Sequence, residues 1–379
     1  TIYLQHLNGS GTNATLDANG NMTVTGTVCG ASSNMFRNRI INGDMTIDQR
    51  NAGASLTPTD GQFTVDRWQL WCDAASKLTV QQSTTVPTAY KNSVVVTSSS
   101  SYTPTSGQRF SYLQPIEGLN VWDLGWGASG AKSVTVSFWV RSSLTGTFGG
   151  WLRNSAGDRF YIFSYTINAA NTWEQKTVTI AGDTSGTWLT TNGVGVYLGF
   201  SMGAHSGSTT TAGSWGGTAY YGVTGQTNIV ATSGATWYVT GVQFEVGTAA
   251  TPFERRLYGH ELALCQRYYE KSFEQAVVPT NASGAFTTYT GASMGIATNR
   301  SVAGTTITFQ VTKRATPTFT AYGSTSGAWG YIAPNGTSVS FSTNVGYTYL
   351  SQSNFNFNQQ VVDGAFVLCI GHWTASAEL

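Results

Sequence analysis

The fold class predicted is mainly β: an N-terminal β-stem (1–36), a jelly-roll β-sandwich (37–256), one connecting α-helix (257–275) and a smaller C-terminal β domain (276–379). Three observations predict it. Short runs of residues alternate apolar and polar between clusters of Gly, Pro, Asn and Ser, the signature of half-buried strands. Only 10% of the residues are charged, against roughly 25% in ordinary soluble domains, and 44 glycines with abundant Ser, Thr and Asn replace them. From Leu257 the period changes, and apolar residues fall at helical spacing in that stretch alone.

Taken in order, Thr12 to Val28 alternates about an Asn19-Gly20 turn, with Met22, Val24 and Val28 on one face and Thr23, Thr25 and Thr27 on the other. Such a ribbon is not stable alone, so it is predicted to associate with copies of itself or with a partner. In the sandwich, Val134, Val136, Phe138 and Val140 share a face, as do Tyr161, Phe163, Tyr165 and Ile167, and Val194, Val196, Leu198 and Phe200. Each strand offers one apolar face, and two sheets packed on those faces make the core. Thr236 to Val246 reads as a further strand, with Tyr238, Val242, Phe244 and Val246 on one side and Trp237, Val239, Gln243 and Glu245 on the other. Gly247 and Pro252 end it. The helix that follows presents Tyr258, Leu262, Cys265 and Tyr269 as one stripe. Beyond it the runs TTITFQVTK, TPTFTAYG, TSVSFSTN and AFVLCIGHW read as strands, and 328–337 as a turn-rich connection. No fixed-period repeat occurs, which argues against a β-helix.

Several motifs, in order, carry a resemblance: RNRIINGDMTIDQRNAG (37–53) with FTVDRW (63–68), SVTVSFWVRSS (133–143), FEVGTAATPFERR (244–256), ELALCQRYYEKS (261–272), KRATPTFTAYG (313–323) and the closing TASAEL. Together they resemble bacteriophage tail-fibre and other virion appendage proteins built on a jelly-roll related to carbohydrate-binding modules. The resemblance implies an opening strand at 37–53, assembly in the host cytoplasm with release by lysis, location in the virion, attachment to other virion proteins through 1–36, and contact with a host-surface glycan or protein. Related jelly-rolls often hold a structural calcium between opening and closing strands. Here those places carry Thr46 and, near Thr240, Gly and Val, leaving Glu245 as the one substitute, so no metal or other cofactor is expected.

The composition excludes other classes. A net charge of +1 provides no field for a polyanion, so nucleic acid is not an expected partner. No apolar run is long enough to span a membrane, and TIYLQHLNGSG lacks the basic and apolar regions of a signal peptide. The first residue is Thr, which fits a fragment as well as a product trimmed of its Met. Cys29, Cys72, Cys265 and Cys369 are far apart, without the paired spacing of a zinc site, and read as buried thiols.

Catalytic patterns are equally scarce. His6, His205, His260 and His372 fall in no triad or metalloprotease motif, and no GxSxG occurs. Asp44 with Asp48, and Asp66 beside Arg67, are the acid clusters a glycosidase would draw on; the simpler reading is that Asp66 with Arg67 holds a turn and that Asp44 follows a glycine at a strand entrance. Indoles are the informative residues. Trp68, Trp71, Trp139 and Trp173 sit in strands or strand starts, where a core or sheet-surface place is the default. Trp122, Trp126 and Trp215 lie in glycine-rich loops and, with Tyr220 and Tyr221, form the predicted receptor-binding surface, plugging of loops or of a subunit interface being the alternative. The predicted trimer interface is Met22, Val24 and Val28 of the stem with Tyr258, Leu262, Cys265 and Tyr269 of the helix. The sequence thus predicts a non-enzymatic structural and adhesive virion protein, against a glycan-degrading tailspike or a purely architectural capsid fibre.

Overall fold

The computed structural model describes residues 37–281, 306–322, 350–356 and 372–379 in full, and as backbone alone the strand residues at 2–5, 12–16, 22–24, 302–305, 329–332, 339–342, 346–348, 357–360 and 368–370. The chain divides into two compact units, Thr1–Arg37 and Asn38–Leu379. In the first, Thr12–Leu16 pairs antiparallel with Met22–Val24, as the ribbon reading expects, and Ile2–Gln5 adds a third strand on the other side of Thr12–Leu16. The side chains of Met22 and Val24, and all of Val28, lie outside the described residues.

The second unit is dominated by a two-sheet sandwich. One sheet has seven strands in the spatial order Trp215–Gly216, Phe160–Ile167, Gly146–Arg153, Val194–Ala204, Arg109–Glu117, Gln69–Cys72 and Gln62–Phe63. The other has five, ordered Glu174–Ile180, Val134–Ser142, Thr236–Val246, Ser93–Ser98 and Leu78–Ser83. All these pairings are antiparallel. Between the sheets Phe110, Tyr112, Phe148, Leu152, Phe163, Tyr165, Leu198 and Phe200 meet Val94, Val96, Val134, Val136, Phe138 and Val140 in one buried core. The alternation over Val134–Val140 and Tyr161–Ile167 therefore holds.

It fails in Thr236–Val246. Trp237 and Val239 face the core, and so do Val242 and Phe244, although the two pairs differ in parity. A bulge between Thr240 and Gln243 inserts the extra residue. Gly241 makes it possible: its φ is +62°, and a Cβ there would lie 2.5 Å from the Tyr90 hydroxyl. The opening strand implied by resemblance is also absent from 37–53, because Asn42 and Met45 both take positive φ (57° and 59°) and break the extension. That segment instead clips the closing strand. Arg39 N–H donates to Phe244 O, Val242 N–H donates to Gly43 O, and the Asn38 amide spans Phe244 N and Val242 O.

Helix α1 runs Tyr258–Gln266, shorter than the 257–275 expected. Tyr269–Lys271 is a strand instead, paired with His372–Ser376, which in turn pairs with Thr318–Tyr322. Trp329–Ile332, read from sequence as connection, is a strand paired with Val339–Ser342 and Leu368–Ile370. Phe309, Phe319, Phe355 and Trp373 supply aromatic packing here.

A buried set of charges ties these parts together. Arg50 reaches Asp66 at 2.8 Å and Glu378 at 2.9 Å, while Arg67, 1% exposed, bonds the other oxygen of Glu378 and donates to Pro115 O at 2.7 Å. Their guanidinium carbons lie 3.7 Å and 3.5 Å from the Tyr269 and Tyr268 ring centroids. Glu117 accepts from Arg267 at 2.6 and 2.9 Å and from the Tyr268 hydroxyl at 2.5 Å, and Lys313 Nζ meets Glu270 at 2.5 Å. Removing one member leaves its partners charged in a dry place, so Glu378→Gln is expected to destabilise the fold by about 3 kcal/mol, seen as a lowered midpoint in urea unfolding.

Lys271 provides a pH readout of the same region. Its Nζ donates to Gln275 O and Val277 O, and burial pushes its pKa down to about 8, against the pull of Asp66 and Asp48. Above that value the folded lysine sheds its proton while the unfolded one keeps it, so folding stability rises with pH over this window. The stability of the wild type relative to Lys271→Met is therefore expected to increase between pH 8 and about 10. A flat difference across that range would show that the amine keeps its charge in the fold.

Candidate functional site

The outer face of the seven-stranded sheet is built by the residues of opposite parity to the core. Leu70 and Cys72 point inward, so Trp71 points out; Val196 and Leu198 point inward, so Tyr197 points out; Leu152 points inward, so Trp151 and Arg153 point out. Trp151 is fully buried, its indole lying on the backbone of Gly199, where a Cβ would come within 2.3 Å of the ring. Its N–H donates to Ser111 Oγ at 3.1 Å. Trp71 stacks on it with centroids 5.4 Å apart and planes 22° apart. Tyr197 leans on Trp71 at 5.4 Å, and Tyr221 sets its edge against Trp151 at 5.5 Å and Phe160 at 5.6 Å.

Two arginines top this floor. The Arg109 guanidinium lies 4.2 Å from the Trp71 centroid and 4.8 Å from that of Tyr221. That of Arg153 lies 5.2 Å from Trp71 and 4.8 Å from Tyr197. Burial raises the Tyr197 pKa above the ordinary phenol value while the Arg153 charge pulls it back. Trp71, Tyr197, Tyr220, Tyr221, Arg109 and Arg153 all remain partly exposed. The segment from Thr209 to Val223 closes one side. Its Thr209–Thr210 and Gly222–Val223 strands pair parallel, and Val223 joins the apolar cluster on Trp151. Beside it Phe160, Ile162, Thr210, Thr211, Ser214 and Tyr220 line a small hollow of about 90 Å³. An aromatic floor with a hydroxyl-rimmed hollow suits a sugar ring: the apolar face of the ring stacks, and its hydroxyls meet Ser and Thr.

The predicted receptor surface is redistributed by the structure. Tyr220 and Tyr221 do belong to this aromatic group. Trp126 does not: it is 9% exposed, sits edge-on to Trp188, Trp215 and Phe244, and donates to Lys132 O at 2.8 Å. Trp215, on the edge strand Trp215–Gly216 rather than in a loop, packs with it and donates to Ala181 O, so these indoles cover the margin of the core. A core margin needs large side chains whose N–H groups find carbonyls. Trp122 stands apart, 64% exposed beside the Arg39–Asp123 ion pair.

The helix stripe also splits. Cys265 is buried with Ile41, Ile47 and Tyr268, which raises its thiol pKa, and Tyr269 is buried under Arg50 on a strand. Neither is open to another chain. Leu262 packs at the margin of that cluster, whereas Tyr258 is 52% exposed and borders a cavity of about 250 Å³ with Asp44, Lys91 and Arg256.

Of the acid candidates, Asp48 and Asp66 are engaged, whereas Asp44 borders the cavity beside Tyr258. Asp48 accepts from Asn51 N and Gly53 N, and Asp66 binds Arg50 and Gln49 rather than its sequence neighbour Arg67. Glu245, the substitute calcium ligand, is 2% exposed and accepts from Gln243 Nε2, Thr251 N and Thr251 Oγ1. Among the described residues no group of three His, Cys, Asp or Glu is gathered as a metal would need.

No protein-family model matches the chain, and no curated protein matches it in sequence. Among solved structures it is similar to the enzymatically active domain of bacteriophage CBA120 tailspike protein 4, at 14% identity and TM-score 0.31, over 56% of this chain and 22% of that one. It is also similar to a family 11 carbohydrate-binding module from Clostridium thermocellum, at 12% identity and TM-score 0.28, over 52% of this chain and 98% of that one. A xylan-binding domain from Paenibacillus barcinonensis matches at 14% identity and TM-score 0.25, over 53% of this chain and 99% of that one. Likenesses this distant say nothing about ligand or activity.

The difference between the packed Trp126 and the exposed Trp122 has a direct consequence. Trp126→Ala is expected to destabilise the fold by about 3–5 kcal/mol, while Trp122→Ala changes it by less than about 0.5 kcal/mol. Thermal melting of the two variants side by side checks this.

Proposed function

We propose that the protein is a non-enzymatic, adhesive component of a bacteriophage virion, a tail fibre or receptor-binding appendage, that grips host-surface glycan with the outer face of its seven-stranded sheet. The observation that carries the glycan reading is the Trp71 platform: a partly exposed indole, backed by the buried Trp151 and framed by Tyr197 and Tyr221, held on a rigid sheet. The motif resemblance of 37–379 supports the virion role, and the three-stranded N-terminal unit is the proposed attachment segment. The exposure of Leu257 (85%) and Tyr258 (52%) supports contact with a second copy, in a homotrimer.

A shallow platform of this kind gives affinity near the millimolar scale, about 4 kcal/mol, and several linked copies raise avidity by roughly 10²–10⁴. Trp71→Ala is expected to weaken binding to receptor-bearing cells by about tenfold, the effect of losing a stacking contact of about 1.4 kcal/mol, without loss of folding. Cell binding equal to the parent's would move the receptor site off this sheet. Incubation with capsule, lipopolysaccharide and peptidoglycan is expected to release no new reducing ends, and catalytic release would make the protein a glycan-degrading tailspike instead.

A further inference from the structure

We propose that the glycan gripped by this face is anionic, and that Arg109 and Arg153 together receive an oxyanion carried by one of its sugar units; this rests on the glycan-binding reading above. The first argument is that neither arginine is neutralised. Arg39, Arg50, Arg67, Arg159, Arg256 and Arg267 each meet a carboxylate, at Asp123, Asp66, Glu378, Asp183, Glu261 and Glu117 respectively. Arg109 and Arg153 meet none among the described residues; nor do Arg37, Arg141, Arg255 and Arg314, the last three of which donate to backbone carbonyls, so what sets Arg109 and Arg153 apart is that they share one aromatic ring. Arg153 has only the carbonyls of Asn154 and Ser155, at 3.2 and 3.4 Å. The Arg109 guanidinium makes no hydrogen bond to a described residue, and its Nε is buried without a partner. The carboxylate closest to it in the ladder, Asp73, accepts from the Arg109 backbone N–H at 2.7 Å.

The second argument is position. Both guanidinium carbons lie within about 5 Å of one ring centroid, that of Trp71 (4.2 and 5.2 Å). Two like charges held over one ring repel each other, and the aromatic faces offset only part of that. An oxyanion between them removes the repulsion and satisfies the Arg109 N–H fork, which has no partner among the described residues, while Arg153 keeps its carbonyls and adds a donor. The third argument is that the charge is local. The chain as a whole carries +1, which gives no long basic stripe for a nucleic acid to follow, while the adjoining hollow of Thr210, Thr211 and Ser214 offers hydroxyls for a sugar.

The test uses the full chain and a panel of neutral, uronate-containing, sialylated, sulfated and phosphorylated oligosaccharides, with affinity measured by calorimetry at two salt concentrations. The ligands bound are expected to be acidic, to weaken at higher salt, and to lose tenfold or more when the acid group is removed. Carboxyl reduction, desulfation and dephosphorylation of each bound ligand identify which oxyanion is read. In the Arg109→Gln, Arg153→Gln protein the ratio of affinities for the acidic ligand and its neutralised form should collapse toward one. Arg153→Gln alone makes the same comparison if the double variant melts early. Selective binding of neutral glycans, or a ratio unmoved by the substitutions, overturns the anionic proposal and leaves the glycan reading standing. If no glycan on the panel binds, both fall.

Discussion

Glu378 reaches back across 328 residues to Arg50, and its second oxygen meets Arg67. Those two arginines cover Tyr269 and Tyr268, the residues at which helix α1 gives way to the strand Tyr269–Lys271. One carboxylate thus fixes the opening segment, the turn between Gln62–Phe63 and Gln69–Cys72, the connector and the C-terminal sheet against one another. Burying so many charges is costly unless each is matched, and that cost enforces specificity: a register or docking error would strand a guanidinium in a dry site. Shortening of the helix follows from the same constraint. A longer helix would carry Tyr269 away from Arg50 and forfeit the ladder with His372–Ser376.

The sandwich then serves two purposes with one sheet. Its inner face completes the core, and its outer face, one residue out of step, carries Trp71, Trp151, Tyr197 and the two unpaired arginines. Rigidity explains the division. Aromatic rings that must meet a ligand without rearranging are better placed on antiparallel strands than in loops. The opposite task falls to Trp126 and Trp188 of the loops with Trp215 of the edge strand, which pack together against the core.

Function follows from what each surface leaves unsatisfied. Buried acids are matched by arginines or backbone N–H groups, as at Asp66 and Glu245, and the described acids so engaged are tied to structure. The platform is the reverse case: its two arginines are partly exposed and meet no carboxylate among the described residues. Under the glycan reading proposed above, such a surface would offer stacking to a sugar ring and guanidinium forks to an acid group.

Local sequence determined the strands whose alternation is unbroken, such as Val134–Ser142 and Phe160–Ile167, the pairing of Thr12–Leu16 with Met22–Val24, and the existence of a helix near Leu257. These depend on neighbours two to four residues apart along an element, or up to ten apart across the one tight hairpin, and such neighbours are close in the chain. What only the tertiary structure decided depends on distant ones. The Gly241 bulge exchanges the faces of Thr236–Val246 because Tyr90 and Gly43 come to lie against it. Trp126 is core because Trp188 and Phe244 arrive beside it. Trp71 is a platform because Trp151, 80 residues later by numbering, stacks beneath it. The outward parity of Trp71 and Tyr197 was legible in their strands; that the two rings share one patch was not, since strand order in a sheet is set by packing of the whole chain and leaves no mark in either segment.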